Sequence, residues 1–308
     1  FLNSVSMRSL KNLPLQNSWL NSQRIIKSFE KKLIILEKKY TNMIFHFYSI
    51  RTYSLWFLME VFKKPFFVDL VDSMTLNIKS KIFFNKEKIK QIFWNFEYRS
   101  IINFERNLPT FDYCKGYLLV SEIDKKIIRL ENYNPDISII VNNIGCEIPQ
   151  KLNIIERKSK NIIFFGSLNY EPNISAIKWL LNYVMPIVWS KDSSIIINIA
   201  GRSPTKELIK ISKKESKIKV IPNPKSMNKI MNQSIIAVAP LISGSGQQFK
   251  IIEAMANGLP VIASSKVASP FGFIDKKDLL IEDDHTKFAD AIVNLSKDSK
   301  IRRELTKN

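Results

Sequence analysis

The sequence predicts an α/β protein of two domains, each a doubly wound parallel sheet flanked by helices. Three observations lead there. Short apolar runs alternate with amphipathic helical stretches along nearly the whole chain, as in repeated strand–helix units of a parallel sheet. At 308 residues the chain is long enough to fill two cores. A polar stretch, Pro149–Lys160, separates two halves that each carry this alternation. The expected domains are therefore 1–150 and 151–308.

In the first half, residues 18–39 read as a helix: Trp19, Ile25, Ile26, Phe29, Leu33 and Leu36 form an apolar stripe among lysines. Met43–Tyr48 reads as a strand, 53–62 as a short helix, and Pro65–Val71 as a second strand ending at Asp72. Residues 77–107 read as one largely helical segment rich in lysine and aromatics. Tyr117–Val120 is a predicted strand, Glu122–Glu131 a helix and Ile137–Val141 a strand.

The second half repeats the theme. Asn161–Phe165 is a predicted strand ending at Gly166-Ser167, and Ile174–Val188 is a helix. Ser194–Ala200 is a strand ending at Gly201-Arg202, followed by a helix over Thr205–Lys213. Ile218–Ile221 is a strand and Ser226–Asn232 a short helix; His285–Leu295 is a late helix. In open parallel sheets ligands bind beyond the carboxyl ends of strands. Asp72, Gly166, Gly201 and Ser243 all fall at such ends, and Arg51 follows the strand at 43–48.

The stretch from Val238 to Ser265 is the most informative. An apolar strand, Ile235–Leu241, runs into Ser243-Gly244-Ser245-Gly246, and then into a helix with Phe249, Ile252 and Met255 at helical spacing. Gly258-Leu259-Pro260 stops that helix before the strand Val261–Ala263. A small-residue loop at a helix N-terminus offers unpaired N–H groups and a positive dipole end to an anion. Gln247 lies in that loop, Lys250 adds a full charge in the first turn, and Glu253 can accept from a pair of ribose hydroxyls. Two readings stand at this level: a phosphate cradle, or a flexible turn followed by an exposed Lys–Glu helix pair.

Composition excludes several classes. Two cysteines and two histidines, with no HxxxH, CxxC or DxDxDG spacing, leave no metal site to expect. The net charge of +19 invites a nucleic-acid reading. Lysine is spread over the whole chain, however, and no aromatic-basic RNA motif occurs, so no nucleic-acid partner is expected. No apolar run reaches the roughly 20 residues that span a bilayer, and no signal peptide is recognisable.

Several segments together carry a family resemblance. They are Phe67–Asn77 (FVDLVDSMTLN), Val120–Asp124 (VSEID), Phe165–Asn173 (FGSLNYEPN), Ala200–Pro204 (AGRSP) and Ala239–Gly246 (APLISGSG). The last continues through Lys250–Val261 (KIIEAMANGLPV). The chain resembles the retaining glycosyltransferases of family 4, and among them the bacterial sugar transferases of exopolysaccharide and exosortase gene clusters. The resemblance implies the GT-B fold, two Rossmann-like domains facing across a cleft. It also implies a hexosyltransferase using a nucleotide-diphosphate-sugar donor and a glycan or lipid-linked acceptor, in cell-surface polysaccharide synthesis, with no cofactor or metal.

The resemblance assigns residues as well. Donor binding falls to Gly166, Ser167, Gly201, Arg202, Ser243, Gly244, Ser245, Gly246, Gln247, Lys250 and Glu253. Glu253 matches the family's second glutamate, the ribose ligand, whereas the first would fall at Ser245 and is absent. The family's Gly-Arg and following Lys are replaced by Gly166-Ser167 and Asn173, so Lys250 and Arg202 stand in as the charges on the diphosphate. Asp72 occupies about the place of a histidine near the reacting carbon. Asp72, Lys250 and Arg202 are thus the catalytic candidates, with Arg51 and Asp72 on the acceptor side. For Asp72 an N-cap role, and for Arg51 a surface ion pair, remain as alternatives.

A first strand and glycine loop should precede all this. Neither is recognisable in residues 1–17, so an N-terminal domain truncated at its front is expected. The missing glutamate and arginine also leave open a catalytically impaired GT-B-like binding or scaffold protein. A cytoplasmic location is expected. The stripes at 18–39 and 78–99 either pack on the sheet or touch the anionic inner face of the membrane.

Overall fold

Every strand in this computed structural model pairs in parallel with its neighbours. The structure describes residues 23–84, 87–132, 134–149, 159–243 and 246–307. By backbone proximity the chain divides into two units, Phe1–Asn143 and Ile144–Asn308. This division lies ahead of the boundary expected from the polar stretch. Residues 1–17, where the resemblance expects a front strand, residues 18–22 of the expected first helix with Trp19, and 150–158 of the expected linker lie outside the described residues.

The first unit holds a four-stranded sheet in the order β1-β2-β3-β4: Phe45–Tyr48, Phe66–Val71, Cys114–Leu119 and Ser138–Val141. Along β2 buried and half-buried residues alternate, with Phe66, Val68 and Leu70 turned into the core. There Phe66 meets Phe47 edge to face at 5.8 Å, and Phe111 at 5.9 Å. Helix α1 (Gln23–Lys39) covers this core through Ile26, Phe29 and Leu33, as its stripe predicts. Helix α2 (Tyr53–Val61) sinks Trp56 completely.

Two predicted helices come out differently. The span 77–107 is a hairpin of two helices, α3 (Met74–Phe84) and α4 (Lys88–Arg106), which pack together. Glu87 stands extended at the N-cap of α4. The helix expected over 122–131 is only the short α5 (Glu122–Lys125). Its continuation is drawn off: Leu108 N donates to Arg129 O at 2.9 Å and Glu131 N to Leu108 O at 2.7 Å, a bridge between Leu108 and Leu130. Local helical pattern loses there to a tertiary ladder.

In the second unit six strands lie in the order β10-β9-β8-β5-β6-β7. They are β5 (Asn161–Phe165), β6 (Ile196–Gly201), β7 (Ile218–Pro222), β8 (Ile236–Ala239), β9 (Val261–Ala263) and β10 (Leu280–Ile281). Counted from β5 this is the Rossmann order 3-2-1-4-5-6. The central strands β5, β8 and β9 are buried almost throughout, which is why they read as unbroken apolar runs. Around them run α6 (Glu171–Trp179), α7 (Met185–Lys191), α8 (Lys206–Lys214), α9 (Met227–Asn232) and α10 (Phe249–Ala256). The set ends with α11 (Ser265–Ala268), α12 (His285–Lys297) and α13 (Ser299–Leu305). A π-helical stretch, Leu180–Val184, links α6 to α7 where one helix is expected. The expected fold class, two Rossmann-like parallel-sheet domains, is the observed one.

The ends of β5 and β6 come unusually close. A Cβ on Gly201 would lie 1.7 Å from the carbonyl oxygen of Gly166, which neither backbone can yield without moving a strand. Gly201→Ala should therefore lower unfolding stability by about 3 kcal/mol, the upper range for overpacking. Gly145→Ala, with nothing within 4 Å of its added methyl, is the control and should leave the urea midpoint unchanged.

Candidate functional site

Strands β5 and β8 are neighbours, yet the sheet runs in opposite directions from them, to β6-β7 and to β9-β10. Such a switch point opens a crevice at the carboxyl ends of the strands. Gly166 sits there, one residue past β5, with φ of 146°. Around it the structure gathers groups from three segments. Lys250, in the first turn of α10, brings its ammonium so near that a Cβ on Gly166 would lie 3.3 Å from Nζ. Lys250 Nζ donates to Asn173 Oδ1 at 2.6 Å, and Asn173 Nδ2 donates to Ser167 O at 2.8 Å. Nζ also stands 4.7 Å from the centroid of the buried Phe164 ring.

The electrostatics of Lys250 set this site apart. Among the described residues no carboxylate pairs with it. Burial pushes its pKa from 10.5 down to about 7. A cation held only by a neutral amide and a ring is stabilised by any anion that enters. Asn173, itself buried, fixes where the ammonium points. From sequence Asn173 is visible only as the residue standing near a family lysine; nothing local announces its contact with a residue 77 positions on.

The remaining donor-side candidates divide into two groups. Gly201 and Arg202 lie beside Gly166: Leu168 N donates to Arg202 O at 2.8 Å, and the Arg202 side chain is exposed. Ser167 Oγ donates to Asn169 Oδ1 at 2.8 Å. Ser243 is buried, and Gly246 takes φ of 67°, the left-handed region that glycine reaches without strain. Gly244 and Ser245 lie outside the described residues. Gln247 acts as a tether, its Oε1 accepting from Ile144 N and its Nε2 donating to Pro270 O, both at 3.0 Å. One turn into α10, partial burial raises the carboxyl pKa of Glu253. Its near neighbour is Cys146, whose thiol donates to Ile252 O at 3.4 Å and is raised by burial and by Glu253. A segment from 144 to 146 thus crosses α10 beside Glu253.

The first unit brings together its own pair. Arg51 lies in the 3-10 turn Ile50–Thr52 after β1, and Asp72 follows β2. Asp72 is placed by Val71, which stands at φ of 69°, a costly conformation for a β-branched residue. The turn is over-determined by its surroundings. Val71 N donates to Asp69 Oδ1 at 2.9 Å, and Ser73 N donates to Asp124 Oδ1 at 2.9 Å. From α4, buried Glu105 accepts from Ser73 Oγ and Met74 N, each at 2.7 Å.

Arg51 and Asp72 both act on Lys81 of α3. Its pKa is lowered, first by desolvation and then by Arg51, against the opposing pull of Asp72 and the buried Glu97. Lys81 Nζ lies 4.5 Å from the centroid of the Trp94 ring. Lys81, Trp94 and Glu97 escape a sequence reading because they sit in a lysine-rich, aromatic-rich stretch with nothing to single them out. Among the described residues no group of three or more His, Cys, Asp or Glu side chains could hold a metal ion.

Comparison with known proteins bears on the second unit above all. Residues 159–298, within the second unit, match the family model described as "Glycosyl transferases group 1". An uncharacterized 44.6 kDa protein in the cps region of Klebsiella pneumoniae is 27% identical over 168 residues, 52% of this chain and 43% of that protein. The TarM crystal structure superposes with a TM-score of 0.62 at 18% identity, over 86% of this chain and 50% of TarM. A structure described as trehalose-6-phosphate from E. coli, bound with UDP-2-fluoro glucose, gives a TM-score of 0.62 at 12% identity, over 94% of this chain and 72% of that one. The chain spans about half the length of TarM and less than half of the Klebsiella protein. The structural likenesses establish the GT-B fold.

A lysine whose folded pKa lies below its unfolded value costs stability while it is charged. That penalty is complete below pH 7 and is lifted as pH rises from about 7 to 10.5. Lys250→Met should therefore raise the melting temperature at pH 6, and the gain should vanish near pH 10. A stability difference independent of pH in a thermal melt series would show that Lys250 is solvated.

Proposed function

We propose that this chain is a retaining glycosyltransferase that moves a sugar from a nucleoside-diphosphate donor to a glycan or lipid-linked acceptor in cell-surface polysaccharide synthesis. The observation that carries the reading is the buried Lys250 ammonium at the β5/β8 switch point, beside Gly166 and Asn173 and without a carboxylate partner among the described residues. The group 1 match over 159–298 covers that site. The UDP-2-fluoro glucose bound in the E. coli neighbour supports a uridine diphosphate donor, and the cps-region relative supports the polysaccharide role.

In this reading the diphosphate lies against Gly166, Lys250 and the N-terminus of α10, with Arg202 beside it and Glu253 on the ribose. As the glycosidic bond breaks, negative charge grows on the leaving phosphate. Lys250 is held by Asn173 before that charge appears, and a preorganised donor of this kind is worth about 3–4 kcal/mol to the transition state. Arg51, Asp72 and Lys81 of the first unit are the groups offered to the acceptor in this reading. A second reading, a binding protein of impaired catalysis, is favoured by Ser245 and Ser167, which stand where the resemblance expects a glutamate and an arginine.

UDP at about 100 times its Kd should add about 2.7 kcal/mol to stability, seen as a rise in Tm that Lys250→Met abolishes. The affinity should fall as pH rises above 7, because the empty site then holds a neutral amine that binding must protonate. A panel of nucleoside diphosphates that leaves Tm unmoved would defeat the donor reading. Transfer or hydrolysis of a UDP-sugar with the anomeric configuration kept, read by NMR, separates the enzyme from the binding protein. Saturable UDP binding with no turnover selects the latter.

A further inference from the structure

Gln247 stands just ahead of α10, in the loop offered to the diphosphate, yet its side chain bonds to backbone elsewhere. Oε1 accepts from Ile144 N and Nε2 donates to Pro270 O, both at 3.0 Å. These partners lie 103 and 23 residues away, so no local turn chemistry accounts for the bonds. Gly246, at φ of 67°, precedes Gln247, and Gln248, the extended N-cap of α10, follows it. The Gln248 side chain makes no capping bond. Residues 246–248 are therefore braced from two distant segments instead of by a local cap.

Ile144 belongs to a strap. Residues 144–148 follow no helix or strand, and a Cβ added at Gly145 would meet nothing within 4 Å. Two side-chain bonds pin the strap along α10. One is the Gln247 carboxamide at Ile144, ahead of the first turn. The other is the Cys146 thiol, which donates to Ile252 O at 3.4 Å. The strap begins where the chain enters the second unit after Asn143. We propose that Gln247 is a positioning residue, which shapes the loop backbone for a nucleoside diphosphate and ties the 144–146 strap to occupancy of that site. The inference rests on the donor reading above. An anion accepting from the loop's N–H groups favours one backbone conformation of 246–248, and the two Gln247 bonds favour the same one. Linkage makes this reciprocal: whatever the bonds add to anion affinity, the anion adds to the bonds. The Ile144 amide, held by a side chain and not by a strand, reports that coupling. Were Gln247 itself a donor ligand, its carboxamide would turn to the sugar nucleotide and give up Ile144 on binding.

Amide hydrogen exchange of the full chain, followed by NMR with and without saturating UDP, tests it. UDP should slow exchange at Ile144 about tenfold, within the usual range of coupling between sites. Ser194, a second amide bonded to a side-chain oxygen (Asp192 Oδ1, 3.0 Å), should not respond. Gln247→Met keeps the side-chain length and removes both bonds. It should bind UDP about tenfold more weakly, with exchange at Ile144 fast and indifferent to UDP. If that variant fails to fold, the response of Ile144 in the parent chain decides alone. Exchange at Ile144 that UDP leaves unchanged or accelerates overturns the proposal, as does full UDP affinity in Gln247→Met. Those results leave the donor reading standing, because the rise in Tm with UDP reports it separately; absence of that rise removes both.

Discussion

The second unit is organised around one desolvated cation. Helix α10 seats Ile251 and Ala254 in the core, and that packing fixes the neighbouring Lys250 over the end of β5. A pKa drop from 10.5 to about 7 corresponds to roughly 5 kcal/mol against the charged form. The cation–π contact with Phe164 returns about 2 kcal/mol at best, and a hydrogen bond to a neutral amide about 1 kcal/mol. The arrangement is under-compensated by design of its partners. A carboxylate at residue 173 would relieve it, but would also occupy the charge that an incoming phosphate needs. Asn173 orients the ammonium and leaves that charge available.

The first unit solves a related problem with the opposite sign. Its strand-end turn is held by carboxylates, Glu105 and Asp124, whose oxygens are taken up by Ser73, Met74 and Thr75. Those bonds support Val71 in its left-handed conformation and so set where Asp72 begins. Strain of about 1–3 kcal/mol at such a residue persists only when the surroundings over-determine it. Buried acids here fix backbone, and Lys81 of the following helix lies over the Trp94 ring. In both units the rigid element is a strand end, and a lysine with a lowered pKa stands on a helix beside it.

Much of this was legible in the sequence, and the exceptions have physical causes. The strands β5, β6, β8 and β9 were plain because strands buried on both faces read as apolar runs. Gly166, Gly201 and Lys250 were legible because a strand-to-helix turn names its own end. The split of 77–107 into a hairpin was hidden, since lysine and aromatics are continuous across the break at Glu87. The short α5 was hidden because its shortening comes from a bridge to Leu108, distant in sequence. Asn173–Lys250 and Lys81–Trp94 were illegible for the same reason: side chains meet across elements whose faces no one-dimensional period fixes.

The chain's departures from the family pattern also fall into one physical account. The resemblance expects a lysine near residue 173, on the segment after β5, and the chain has Asn173 there. The Lys250 ammonium reaches that amide at 2.6 Å, so the positive charge arrives at the same strand end from α10 instead of from α6. For a phosphate only the position and solvation of the charge matter, not the helix that delivers it. A lysine at each place would put two desolvated ammonium groups within a few ångströms, each lowering the other's pKa. Asn173 spares Lys250 that repulsion, and its amide oxygen orients the ammonium that α10 delivers.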